Sequence, residues 1–165
     1  MNVAPHSSTL AGWREWVQLS DVGVPWIKAK LDTGAQTSSI HAHDTEVFQR
    51  DGVDWVRFRV RPWQRSLKDE VVVECPVHDR RRVRSSSGHV QERFVVRMRV
   101  VLVGREVIAE VTLSNRDQMG FRMLIGREAL RHGFDVTSSR SFLGSRAPKV
   151  VRRRNGGRAE DPVAE

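Results

Sequence analysis

Apolar and polar residues alternate along much of this chain with a period of two. Val53-Asp54-Trp55-Val56-Arg57-Phe58-Arg59-Val60 does so almost strictly, which predicts a half-buried strand. Asp51-Gly52 just ahead of it is a hairpin-turn dipeptide. Residues 106–113 repeat the alternation. Shorter runs predict strands over 12–19, 26–31, 37–42 and 71–77, the last bent by Pro76. Residues 82–84 and 90–103 flank a polar apex, Ser85-Ser86-Ser87-Gly88-His89, and so predict a hairpin with an exposed tip. Residues 121–125 read as a strand leading into a short helix over 127–132, with Gly133 placed to end it. Residues 134–136 and 141–143 are candidate terminal strands. Short strands at even spacing, without a long helix or an internal repeat, predict an all-β fold. It would be a small closed barrel with one short C-terminal helix. Residues 1–11 read as a flexible lead-in, 12–144 as the β domain, and 145–165 as a basic, disordered tail.

A chain of 165 residues suffices for one domain with a real core. No apolar run approaches the roughly 20 residues of a membrane helix, and no secretory leader is visible at the N-terminus. One cysteine, Cys75, excludes an intramolecular disulfide and fits a reducing cytoplasm. The net charge of +8 raises nucleic acid as a partner. Much of the excess lies in the tail, at Lys149, Arg152, Arg153, Arg154 and Arg158, and in the knot Arg80-Arg81-Arg82-Val83-Arg84. Aromatic residues do not interleave with that knot as a single-strand platform requires. A basic surface suits an acidic peptide equally well.

The chemistry concentrates in Leu31-Asp32-Thr33-Gly34-Ala35, at the end of a predicted strand. A catalytic carboxylate needs a tight turn; Thr offers a hydroxyl to lock it, and Gly permits close backbone approach. The same tripeptide also suits an ordinary strand-ending turn. About 90 residues later comes Met123-Leu124-Ile125-Gly126-Arg127. The pairing resembles the framework of retropepsin-like aspartic peptidases, in which an aliphatic strand runs into Asp-Thr-Gly-Ala, a flap hairpin follows, and an aliphatic-aliphatic-Gly-Arg stretch opens a helix. The chain is still more similar to a bacterial family known as ATP-dependent zinc proteases and associated with ATP-grasp glutamate ligases that modify ribosomal proteins. Four blocks carry that resemblance: residues 29–42, 82–89 with Arg93, 115–119 and 123–130.

The resemblance implies a retropepsin-type barrel with Asp32, Thr33 and Gly34 as the catalytic turn. Ala35, Leu124, Ile125, Gly126 and Arg127 would be its scaffold. A flap would comprise Arg82, Arg84, Ser85, Ser86, Ser87, Gly88, His89 and Arg93. With one Asp-Thr-Gly, the chain needs a homodimer to pair Asp32 with its copy. The ligase association implies acidic, glutamate-tailed substrates and a link to ribosomal proteins. The flap arginines suit carboxylates but equally a solvated face. The family label also implies zinc. No His-Glu-x-x-His is present. The alternative ligand set is His41, His43, Cys75 and His78, whose spacing does not support a site; Cys75 reads as a strand residue and the histidines as exposed loop residues. No cofactor is expected, and no phosphate-binding Gly-x-x-x-x-Gly-Lys loop occurs. Three functions remain open on the residues: a homodimeric peptidase, a non-catalytic module that binds acidic peptides, and a ribosome- or RNA-associated protein using the basic tail.

Overall fold

The computed structural model describes residues 8–84, 87–115 and 120–158. In chain order the elements are β1 (Thr9–Gly12), β2 (Arg14–Leu19), β3 (Val24–Asp32) and β4 (Ser38–Arg50). Then come β5 (Val53–Val60), β6 (Val71–Pro76), β7 (Asp79–Arg84), β8 (Val90–Leu102) and β9 (Arg105–Ser114). The chain finishes with β10 (Met123–Gly126), α1 (Arg127–Leu130), β11 (Phe134–Thr137) and α2 (Lys149–Asn155).

Strands β10, β3, β2, β8, β9 and β4 hydrogen-bond in that order, and β10 also pairs with β4, so six strands close a barrel. Closure leaves no free edge within the ring. The expected all-β barrel, with a short helix after β10, is the fold observed. Strands β5 and β6 continue the sheet outward from β4, and β7 pairs only with the first half of β8. Inward residues of the barrel strands, including Val17, Leu19, Ile27, Ala29, Ile40, Val96, Met98, Val111, Met123 and Ile125, are fully buried and form one core. Each lies two residues from its same-face neighbour, the spacing that the alternation anticipates.

The turns show how local chemistry sets register. Asp51 (φ 53°) and Gly52 (φ 76°) form the left-handed pair that a two-residue hairpin turn requires. Val103 (φ 49°) and Gly104 (φ 73°) do the same between β8 and β9. A β-branched residue is strained there. Val103 is held in place by packing against the core.

Four expectations need correction. The lead-in ends at residue 8, because Thr9–Gly12 pairs in parallel with β11. Strand β4 runs to Arg50 rather than stopping at Ala42; a bulge between His43 and Glu46, with Asp44 at φ 52°, breaks the alternation that would have revealed it. Residues 141–143 form a loop, whose backbone is claimed by a side chain. Glu15, fully buried, accepts hydrogen bonds from the N–H groups of Gly12 (2.7 Å), Leu143 (2.9 Å) and Gly144 (3.0 Å). Finally, residues 145–158 form an ordered arm that carries α2. Ala147 packs in a second apolar cluster with Trp16 and Trp63, flanked by Trp26, Phe142 and Val151. Buried Asn155 clamps the loop after β5, accepting from Gln64 N (2.9 Å) and donating to Gln64 Oε1 (2.9 Å), while its carbonyl accepts from Arg65 N (3.0 Å). Apolar burial and a satisfied amide outweigh the repulsion among the arm's arginines.

Glu15→Ala would strand three N–H donors in the interior. The expected loss is about 3 kcal/mol of unfolding free energy, measured by urea titration.

Candidate active site

Asp32 is the last residue of β3, and its loop is held from three sides. Its Oδ1 accepts from Gly34 N at 2.9 Å, and its carbonyl accepts from Ala35 N at 3.3 Å, which tightens the turn. Strand β10 lies parallel to β3, with Gly126 opposite Asp32, and antiparallel to β4, with Leu124 opposite Ser39. Buried Ser38 accepts from Gly126 N through Oγ at 3.1 Å. Two N–H groups at the start of α1 then reach the loop carbonyls: Arg127 N to Ala35 O at 2.7 Å and Glu128 N to Gln36 O at 2.9 Å. The Arg127 guanidinium donates to Thr33 O at 3.4 Å. Short helices leave such donors free, and here the loop supplies their acceptors.

This explains the aliphatic-aliphatic-Gly-Arg pattern. Ile125 anchors in the core, Leu124 is half-buried, and Gly126 passes so close to the loop that a Cβ would sit 2.5 Å from Thr37 C and O. The predicted turn and scaffold residues are therefore brought together. Asp32 itself is only partly buried, and Thr33 and Gly34 are exposed. Its second oxygen, Oδ2, has no partner among the described residues. Ser38, which sequence reasoning passed over, is a further positioning residue; its only signal was its place directly after the loop.

The predicted hairpin is present as β7 and β8, in register from Asp79 opposite Val95 to Arg84 opposite Val90. Ser38 pairs with Val111 and Val111 with Val96, so the hairpin's root lies two strands, about 10 Å, from the end of the Asp32 loop. Ser85 and Ser86 lie outside the described residues. Ser87, Gly88 and His89 are exposed. The arginine knot divides in two. Arg80 is bound to Asp54 at 2.7 Å, and Arg81 to Asp79 at 3.0 Å and Glu110 at 3.3 Å. Arg82, Arg84 and Arg93 pair with no carboxylate among the described residues.

The alternative metal ligands are not gathered. His41 and His43 stack at 5.7 Å, and His41 is buried in β4 rather than exposed on a loop. Cys75 faces Val56, which faces Val47, so strand register sets it away from both histidines. Burial pushes its thiol up to about 11, which disfavours a ligating thiolate. His78 is engaged by Glu110 at 3.1 Å. Among the described residues no three His, Cys, Asp or Glu side chains are grouped to hold a metal ion. The residues do not fit the zinc that the label implies. His43 instead joins a charged cluster on Glu70, with Arg59 at 2.7 Å and Arg61 at 3.0 Å. The Arg59 and Arg61 hydrogen bonds, with His43 adding to them, hold the Glu70 carboxyl down at about 2. No helix among the described residues is long and apolar enough to cross a membrane.

A family model described as RimB-like, retropepsin-like aspartic endopeptidase RimB, matches residues 10–147. A protein of Desulfotalea psychrophila named probable alpha-L-glutamate ligase is 47% identical over 121 residues, covering 73% of this chain and 26% of that protein. One of the same name from Shewanella halifaxensis is 44% identical over 133 residues, covering 81% of this chain and 29% of its own. The chain thus spans less than a third of these curated relatives. The crystal structure of Lpg0085, a Legionella pneumophila protein of unknown function (DUF785), superposes with a TM-score of 0.70 at 25% identity, covering 83% of this chain and 98% of the other.

Gly126→Ala would force the loop backbone aside and cost about 1–3 kcal/mol, read as a lowered melting temperature. Glu70 ionises far below its ordinary 4.5, so its contribution to stability is complete above that value and lost as pH falls towards 2. Glu70→Gln should lower stability at pH 7 and flatten its dependence between pH 4.5 and 2 in denaturant titrations at each pH.

Proposed function

This chain belongs to the RimB-like family of retropepsin-like aspartic endopeptidases, and we propose that it hydrolyses peptide bonds as a homodimer, with Asp32 of each copy facing the other across a twofold axis. The observation that carries this reading is the Asp32 turn: one carboxylate rigidly held by its own strand, with a free Oδ2 on an exposed loop. The ladder bonds of β10 and the first N–H groups of α1 fix the loop that presents it.

In the dimer two like charges at close range cannot both ionise, so the pair shares one proton. The ionised member takes a proton from water, which attacks the peptide carbonyl, while the protonated member gives its proton to the carbonyl oxygen. Collapse of the tetrahedral intermediate then releases the amine. Thr33 meets its copy at the axis, and Gly34 and Ala35 line the floor. The β7–β8 hairpin closes over the substrate and excludes water. Arg82, Arg84 and Arg93, which lack carboxylate partners among the described residues, select acidic chains, including glutamate-tailed ones. The ligase name of the relatives fits a substrate of that kind.

A second reading rests on the coverage of those relatives. Because the matching region is under a third of proteins named glutamate ligases, the domain could instead be a non-catalytic module that holds an acidic chain for another domain.

Asp32→Asn separates the two. Mass spectrometry of glutamate-tailed peptides should show cleavage by the wild type, unaffected by chelator, and reduced roughly a thousandfold or more by the substitution, with peptide binding retained. Sedimentation should show a dimer under cleaving conditions. Binding without turnover by the wild type would establish the module instead.

A further inference from the structure

A cavity of about 550 Å³ lies between the outer face of β2 and β3 and the arm that carries α2. That is within the rough 300–1,000 Å³ range of ligand pockets. Arg14, Lys28, Arg65, Arg146, Arg152 and Arg158 line it, and no Asp or Glu does among the described residues. On the outer strands many arginines are matched: Arg50 and Arg57 with Glu74, Arg59 and Arg61 with Glu70, Arg99 with Glu106. Around the cavity, Arg65, Arg146, Arg152 and Arg158 have no carboxylate partner among the described residues, nor has the buried Nε of Arg152 a hydrogen-bond partner among them. Six cations converging without a counter-charge among the described lining residues repel one another, and a ligand of opposite sign would relieve that repulsion. Burial first, and then the charge of Arg14, makes the Lys28 ammonium easier to deprotonate.

The ring of Phe142 bears on the ligand's class. Arg14 lies 5.0 Å from its centre, and Lys28 and Arg146 each lie 5.5 Å away. The ring therefore holds cations in place and is not a free platform on which a base could stack. Guanidinium forks held in this way suit several carboxylates.

The cavity is also aligned with Asp32. On β3, Ile27, Ala29 and Leu31 are buried, so Lys28, Lys30 and Asp32 share the opposite face. Arg14 sits across from Lys30 in the register. Lys28 is four residues before Asp32, roughly 13 Å along the strand. An extended peptide has the same rise per residue, so a chain presented to Asp32 would reach the cavity about four residues away. We propose that this cavity anchors consecutive carboxylates of an acidic peptide about four residues from the bond presented to Asp32. The distance to the bond rests on the peptidase reading; the anchoring does not.

The test uses the full chain carrying Asp32→Asn, so that the probe is not consumed, and fluorescein-labelled octaglutamate followed by anisotropy. Arg146→Gln with Arg158→Gln, both exposed side chains, should weaken binding at least tenfold. Arg50→Gln with Arg97→Gln, equal in charge and remote from the cavity, should change it less than twofold. Equal loss in the two pairs would overturn the proposal, as would tighter binding of octauridylate that the first pair alone abolishes. Octaglutamate cleavage by chains that retain Asp32 distinguishes the two readings. Cleavage whose KM is unmoved by Arg146→Gln with Arg158→Gln removes the anchor and keeps the peptidase. Selective loss of binding without any cleavage keeps the anchor and removes the peptidase.

Discussion

Strand β10 hydrogen-bonds to two partners at once, parallel to β3 on one side and antiparallel to β4 on the other. That double pairing closes the barrel, and the Asp32 loop is the segment that must bend out of its way. β3 and β4 are consecutive in the chain, joined only by residues 33–37, so a strand wedged between them forces this link into a compact arch. Gly126 is required because nothing larger fits under the arch, and Ser38 supplies the acceptor for the N–H that the wedge delivers there. The carboxylate's rigidity is thus a by-product of how the sheet closes. A loop fastened only by side chains would lose that rigidity whenever those side chains moved; one fastened by ladder bonds moves only if the barrel opens.

This constraint was the most legible part of the sequence. Asp-Thr-Gly-Ala after an aliphatic run, and Leu124-Ile125-Gly126-Arg127 far downstream, are both local patterns, and their functional meaning lies in being neighbours in space. The hairpin over β7 and β8 was legible for the same reason: its alternation and its Gly-containing apex are local. What escaped notice depended on distant partners. Glu15 looks like an outward polar position on a strand, and only the return of residues 143 and 144 gives its carboxylate something to bind. The arm was read as disorder because its arginines dominate its composition, whereas its few apolar residues count only once Trp16 and Trp63 stand opposite them. The far half of β4 was hidden by one left-handed aspartate, which shifts every later side chain to the other face.

The charge of the molecule also divides in a way that composition conceals. On β5, β6 and the base of the hairpin, acidic residues sit opposite the arginines and spend their charge locally, in exposed pairs that contribute little to stability. At Arg82, Arg84 and Arg93 of the hairpin, and at Arg65, Arg146, Arg152 and Arg158 around the cavity, no carboxylate answers the charge among the described residues, although Arg154 on the arm is paired with Asp69. From the Asp32 loop, one region is reached through β9 and β8 and the other along β3. A net charge of +8 would be compatible with any polyanion; where among the described residues the arginines lack carboxylate partners is the more discriminating fact.

The two-residue turn at Val103-Gly104 joins the long strands β8 and β9 into a pairing that needs almost no loop closure. Such local contacts form early, since little chain entropy opposes them. The wedge of β10 is the reverse case, because it must find strands that left the growing chain about 90 residues before it. The β8–β9 pairing therefore closes the least chain, and the pairing of β10 that completes the arch closes far more. Until Met123–Gly126 is inserted, Asp32 rides on a link held only by the turn's own hydrogen bonds, so the carboxylate gains its full support only as the barrel shuts.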